Sequence, residues 1–191
     1  MTAEEFSAAK SLWKFFYAQE CFRRVASTCA FILQNGIGEN HPAYYPMIVA
    51  IYALYGKPFK QTDDVGALPR KIVPAEFRPL HDIMIEHRDE VYAHTQPGRK
   101  SEVRVRVSYI GTSRKRKALL LGNEFYARPL TLSKIIELCQ AMHTIMENRV
   151  GELQSHYYPK HLPKEEGEYP LNVVDPAGPF FLPKQPPLTN R

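Results

Sequence analysis

Cysteine is scarce in this chain and is not arranged for metal. Its 191 residues include three, Cys21, Cys29 and Cys139, at no zinc-ligand spacing. An odd, unpatterned set excludes a disulfide framework and reads as free, mostly buried thiols of a reducing compartment. For Cys21 and Cys29, on a helical segment, core filling is the expectation. No Cys, His or Asp group has convincing ligand spacing elsewhere, so no metal and no cofactor is expected. No apolar run approaches membrane-spanning length, and the N-terminus, Met-Thr-Ala-Glu-Glu, is acidic where a leader would be basic. No membrane association and a cytoplasmic location are therefore expected. Internal repeats are absent as well.

An apolar fraction of 44% with 12% aromatics suits a folded globule. The net charge of +5 is concentrated in one place. Between Arg99 and Lys117 lie eight basic residues and one acid, Glu102, which leaves the remaining chain slightly acidic. A local patch points to a polyanionic partner. A solvated, charge-blunted edge strand would look the same.

Hydrophobic periodicity divides the chain. Thr2-Ala-Glu-Glu5 is a capping box, and no proline or glycine follows before Asn35-Gly36. Phe6, Leu12, Trp13 and Phe16 make one stripe and Phe22, Val25, Cys29 and Ile32 a second, so a single helix that changes its buried face near Glu20, or two nearly collinear ones, is predicted. A second helix begins near Pro42 or Pro46, ends at Tyr55 and is apolar nearly all round. A third begins near Pro74 or Pro79 and is stopped by Gln96-Pro97-Gly98. At Val103 the period drops to two: Val103, Val105, Val107 and Tyr109 alternate with Arg104, Arg106 and Ser108. With Ala118–Leu121 returning, a β-hairpin over about 102–122 is expected. A fourth helix resumes near Thr131. Residues 158–191 hold eight of the sixteen prolines and are expected to form an extension without regular structure, docked in part through Phe180-Phe181-Leu182. The chain thus divides into a helical domain, 1–157, and a Pro-rich extension.

The third helix closes on Arg88-Asp-Glu-Val-Tyr-Ala-His94. On a helical wheel Leu80, Met84 and Val91 form a stripe that also contains His87 and His94, with Arg88 beside it. Two readings are open: hydrogen-bonded core histidines with a solvated arginine, or a chemical site. His87 has no assigned role.

Leu80–Thr95, with Ile51-Tyr-Ala-Leu-Tyr-Gly-Lys-Pro-Phe59 upstream, resembles the HEPN domains (higher eukaryotes and prokaryotes nucleotide-binding), in their bacterial abortive-infection branch. The resemblance covers about residues 5–155. It implies an all-α fold, an antiparallel four-helix bundle carrying the hairpin between its third and fourth helices. It also implies an arginine–polar–histidine motif at Arg88, Asp89 and His94, and pairing of two chains as a homodimer across the third helix. Many members are metal-independent ribonucleases of phage defence or toxin–antitoxin systems, which leaves a place for a neutralising protein partner. Others are non-catalytic scaffolds that bind nucleic acid or protein. One departure stands out. A toxin–antitoxin branch carries a modifiable tyrosine two residues after the histidine, and here that residue is Gln96.

The residue types suit RNA transesterification. A histidine titrating near neutrality moves the proton. The planar guanidinium of Arg88 suits phosphate. Asp89 orients one or the other. Arg104, Arg106, Arg114, Lys115, Arg116 and Lys117 are the expected RNA-binding residues. Arg88 and His94 are six positions apart, about 9 Å along an ideal helix and about 120° out of phase. One helix cannot easily bring them to one phosphate, so fraying before His94 or a second copy must complete the site.

Overall fold

The computed structural model describes residues 1–61, 65–89, 104–109, 116–121 and 129–184, with the backbone alone for 104–109, 116–121 and 129–130. The chain is mainly helical. Helix α1 spans Ala3–Gln34, α2 Tyr44–Gly56, α3 Arg78–His87 and α4 Pro129–His161. Strands β1 (Arg104–Tyr109) and β2 (Arg116–Leu121) pair antiparallel between α3 and α4 in sequence. Among the described residues, three short 3₁₀ turns, Lys57–Phe59, Arg70–Ile72 and Ala75–Phe77, lie between α2 and α3.

Helix α1 starts where its sequence supplies the missing hydrogen bonds. The Thr2 N–H donates to Glu5 Oε2 at 2.7 Å and the Glu5 N–H to Thr2 Oγ1 at 3.1 Å, which satisfies two orphan donors at once. It stops at Gly36, whose φ of 58° lies in the left-handed region where a side chain is unfavourable.

Helices α1 and α4 run antiparallel, so that Tyr157 donates its hydroxyl to Glu4 at 3.2 Å and His161 Nε2 lies 3.0 Å from Glu5. Along this pair α1 does change its buried face. Its first turns bury Ala8, Ala9 and Leu12 against Val150 and Tyr157. Beyond Glu20 it buries Phe22, Val25, Cys29 and Ile32 in the main core, together with Ile48, Ile51 and Tyr55 of α2, Met84 of α3, and Leu132, Ile135, Leu138, Cys139, Met142 and Met146 of α4. The first stripe differs from expectation. Trp13 and Phe16 are 40% and 38% exposed, and the buried positions beside Leu12 are alanines. Small residues there let the two long helices approach closely, and the larger rings turn outward.

All three cysteines are buried and free. Burial pushes the Cys29 thiol up to about 12 and the Cys139 thiol well above its ordinary value, so both remain protonated and apolar.

Helix α4 also runs further than the proline content of 158–191 suggests, through Pro159 to His161. A proline removes one hydrogen bond and crowds the preceding turn, which is tolerated this close to a helix end. The chain then folds back. Asn172, 1% exposed, holds the reversal with both ends of its side-chain amide. Its Nδ2 donates to the carbonyls of Asp175 (2.8 Å) and Pro179 (2.9 Å), and its Oδ1 accepts from the N–H of Val174 (3.3 Å) and of Asp175 (2.9 Å). This presents Phe180 between the rings of Tyr157, 6.0 Å away, and His161, 4.9 Å away, both nearly parallel to it. Phe181 meets the Tyr158 ring at 5.5 Å.

Among the described residues, no helix is long and apolar enough to cross a membrane.

Candidate functional site

The inward face of α3 keeps the expected Leu80 and Met84, with His87 partly buried, and is wider than expected, taking in His81 and Arg88 as well. Met84 is fully buried and His81 is 4% exposed, whereas Ile83 is 48% exposed. Positions three and four apart share a helix face, so burying His81 and Met84 brings Arg88 to the same side. Arg88 is therefore not a flanking solvated residue. Its side chain is only 15% exposed, and the helix widens to a π-type turn at Arg88 and Asp89.

Arg88 lies against the last residue of α2. A Cβ at Gly56 would fall 2.3 Å from Arg88 Cδ, 3.0 Å from Nε and 3.1 Å from Cγ. The Gly56 backbone, at φ −75° and ψ −20°, is open to any residue. Glycine is favoured here for space alone: the aliphatic stem of Arg88 occupies the volume a side chain would fill. The guanidinium is anchored on the other side by Asp89, with Nη1 donating to Oδ1 at 2.6 Å. Asp89 is itself 52% exposed, so the anchor is open to solvent.

The two histidines of α3 have separate environments. His81 Nδ1 shares a 2.8 Å hydrogen bond with the buried Tyr55 hydroxyl, and its ring meets Phe59 edge-on at 4.5 Å. Burial pulls its pKa below the ordinary histidine value, assisted by Arg70 and opposed by Asp82. Next to it, Asp82 receives a two-pronged pair from Arg70 at 2.7 and 2.6 Å, which ties the Arg70–Ile72 turn to α3 at the surface. His81 is thus a satisfied core histidine. His87, partly buried, stacks on Tyr52 of α2 with ring centroids 5.6 Å apart and 16° between planes. Tyr52, Gly56, His87, Arg88 and Asp89 form one cluster where α2 and α3 meet.

Of the expected catalytic residues, Arg88 and Asp89 are in contact and His94 lies outside the described residues. So do Arg114 and Lys115 of the basic segment. For the rest, the strand register pairs Arg104 with Leu121, Arg106 with Leu119, Ser108 with Lys117, and Tyr109 with Arg116. Paired positions share a face of the pleat and alternate along each strand. Arg104, Arg106 and Lys117 therefore fall at register positions of one face and Arg116 at one of the other.

Sequence reasoning missed Gly56, Tyr52 and His81. A signal existed for the first: Gly56 directly follows the apolar run of the second helix, where the sequence reads only as the helix end and the structure makes it the last helical residue. Among the described residues, no three His, Cys, Asp or Glu side chains come together as a metal site. Comparisons with protein-family models, with curated proteins and with solved structures find no match.

Proposed function

We propose that this chain is a metal-independent endoribonuclease working at the α2–α3 junction. The observation that carries the reading is Arg88: a cation 15% exposed, held by a glycine on one side and by Asp89 on the other. Such a guanidinium is positioned before substrate arrives and does not need to be ordered by it. In the proposed reaction His94 takes the proton of a ribose 2′-hydroxyl. The 2′-oxygen attacks the adjacent phosphorus while Arg88 holds the equatorial oxygens. The bond to the 5′-oxygen breaks, and that oxygen takes a proton from water while His94 returns its own to the solvent, leaving a 2′,3′-cyclic phosphate and a 5′-hydroxyl. Asp89 fixes the guanidinium fork. A second chain pairing through α3 in a HEPN-like bundle, with β1 and β2 as its hairpin, would complete the cleft, in a phage-defence or toxin-like setting that includes a neutralising protein.

A second reading has an observation of its own. Arg88 already has a carboxylate on its guanidinium and a packing partner on its stem, as expected of a residue that locks two helices. On that reading the chain is a non-catalytic HEPN module that binds nucleic acid or a protein.

Labelled RNA incubated with purified protein and chelator separates the two. Cleavage ending in 2′,3′-cyclic phosphate, abolished in His94→Ala at unchanged melting temperature, supports the enzyme. Light scattering should report a dimer. No cleavage, or specific activity in His94→Ala equal to the parent's per folded molecule, removes it.

A further inference from the structure

Away from the α2–α3 junction, the chain has a cavity of about 510 Å³ between the first half of α1, the 65–73 segment and α4. That volume falls in the range of small-molecule sites, about 300–1,000 Å³. Its walls are of two kinds. Phe15, Leu68, Ile72 and Leu153 make an apolar floor, and Lys14, Lys71 and Arg149 bring positive charge from three different elements. Among the described residues one acid, Glu152, also lines it and is bound to Arg149 at 3.0 Å. Lys14 and Lys71 have no ion pair among the described residues.

This combination is selective. An apolar floor alone would favour neutral hydrophobic compounds, and surface lysines alone would favour bare phosphate. Together they match a molecule with a flat apolar body and one anionic end. We infer that the cavity binds a small organic anion of that kind, an aromatic or short-chain carboxylate, sulfonate or phosphate ester. The apolar part rests on Phe15 and Leu153, and the head group lies between Lys14 and Lys71. The inference is independent of the RNA chemistry, since none of these residues belongs to the Arg88 cluster.

Anilinonaphthalene sulfonate serves as the probe, and N-phenylnaphthylamine, the same rings without the sulfonate, as its neutral counterpart. The charged probe should saturate at one site per chain, and the neutral one should bind roughly tenfold more weakly or worse, the value of one lost charge-assisted contact. Lys14→Glu with Lys71→Glu should weaken the charged probe by at least as much while leaving the circular dichroism spectrum unchanged. Trp13→Ala, which removes the exposed aromatic ring beside Lys14, should leave binding intact. Equal affinity of the two probes in the parent protein overturns the inference, and needs no variant to fold. So does unchanged binding in the double variant, or loss of the signal in Trp13→Ala.

Discussion

Replacing Gly56 with alanine should change sign in its effect on stability according to what stands at position 88. The added Cβ would lie 2.3 Å from Arg88 Cδ, more than 1 Å inside the ordinary carbon–carbon contact of about 3.5–4.0 Å. Either the Arg88 stem swings out or the junction of α2 and α3 opens. Overpacking of this kind costs about 1–3 kcal/mol. Against it stands the helix preference of alanine over glycine, about 0.5–1 kcal/mol, with no backbone obstacle at φ −75°. In the parent chain Gly56→Ala should therefore range from neutral to destabilising by about 2.5 kcal/mol. In an Arg88→Ala background the clash is gone, and the same change should stabilise by about 0.5–1 kcal/mol. Urea unfolding of the four proteins measures the coupling. Equal effects of Gly56→Ala in both backgrounds would mean that Arg88 does not lie over Gly56, and the junction reasoning would fail with it.

Other expectations follow from the same structure. Because burial lowers the His81 pKa, the unfolded chain takes up a proton there before the folded chain does. His81 should thus cost nothing well above the unfolded value of about 6.5 and destabilise progressively as pH falls below it, toward the lower folded value. His81→Phe should flatten melting temperature against pH across that window, and an unchanged slope would assign the dependence elsewhere. Phe180→Ala should release the chain beyond His161, at a cost of about 3 kcal/mol or less in its satellite cluster, and limited proteolysis should cut within 162–184 first. Full protection there would show that the Tyr157–Phe180–His161 stack does not hold the extension. If the strands carry RNA contacts, Arg104→Ala with Arg106→Ala should reduce the salt slope of RNA binding by about 1.4 for two single-strand phosphate contacts, and Arg116→Ala, on the opposite face, should not. Equal effects would mean that the pleat does not sort them.

Local signals were legible and pairwise distances were not. The capping box of Thr2 and Glu5 and the stop at Gly36 depend on hydrogen bonds and backbone angles a few residues apart, so sequence alone locates both ends of α1. The face change near Glu20 was legible as two stripes. Its membership was not, because Ala8 and Ala9 are buried through the close approach of α4, a distance that no single-helix pattern contains. The same limit applies to α3. Leu80 and Met84 were legible as a stripe, but the inward turn of His81 and Arg88 beside them was not, because it depends on Tyr55 accommodating His81 and on Gly56 leaving room for Arg88. The C-terminal reversal was hidden for a different reason. Its proline content excludes regular structure, but Asn172 organises it through four hydrogen bonds to residues that composition does not single out.

The inward turn of Arg88 makes Arg88→Lys the most discriminating substitution in the chain. Lysine keeps an aliphatic stem that can lie over Gly56 and a positive charge within reach of Asp89. It lacks the planar fork with which a guanidinium grips two phosphate oxygens at once. If Arg88 serves only to lock α2 against α3, the stem does most of that work, and Arg88→Lys should fold, melt and bind as the parent does. If its guanidinium holds the phosphate as charge builds during transfer, Arg88→Lys should keep its melting temperature and lose RNA cleavage by roughly 10²–10³-fold, the penalty for removing one donor that stabilises a developing oxyanion. The pairing of the two readouts is what decides. Parental cleavage at parental stability leaves Arg88 a structural residue and removes the chemical role assigned to it. Loss of cleavage with an intact fold is an outcome that helix locking cannot produce.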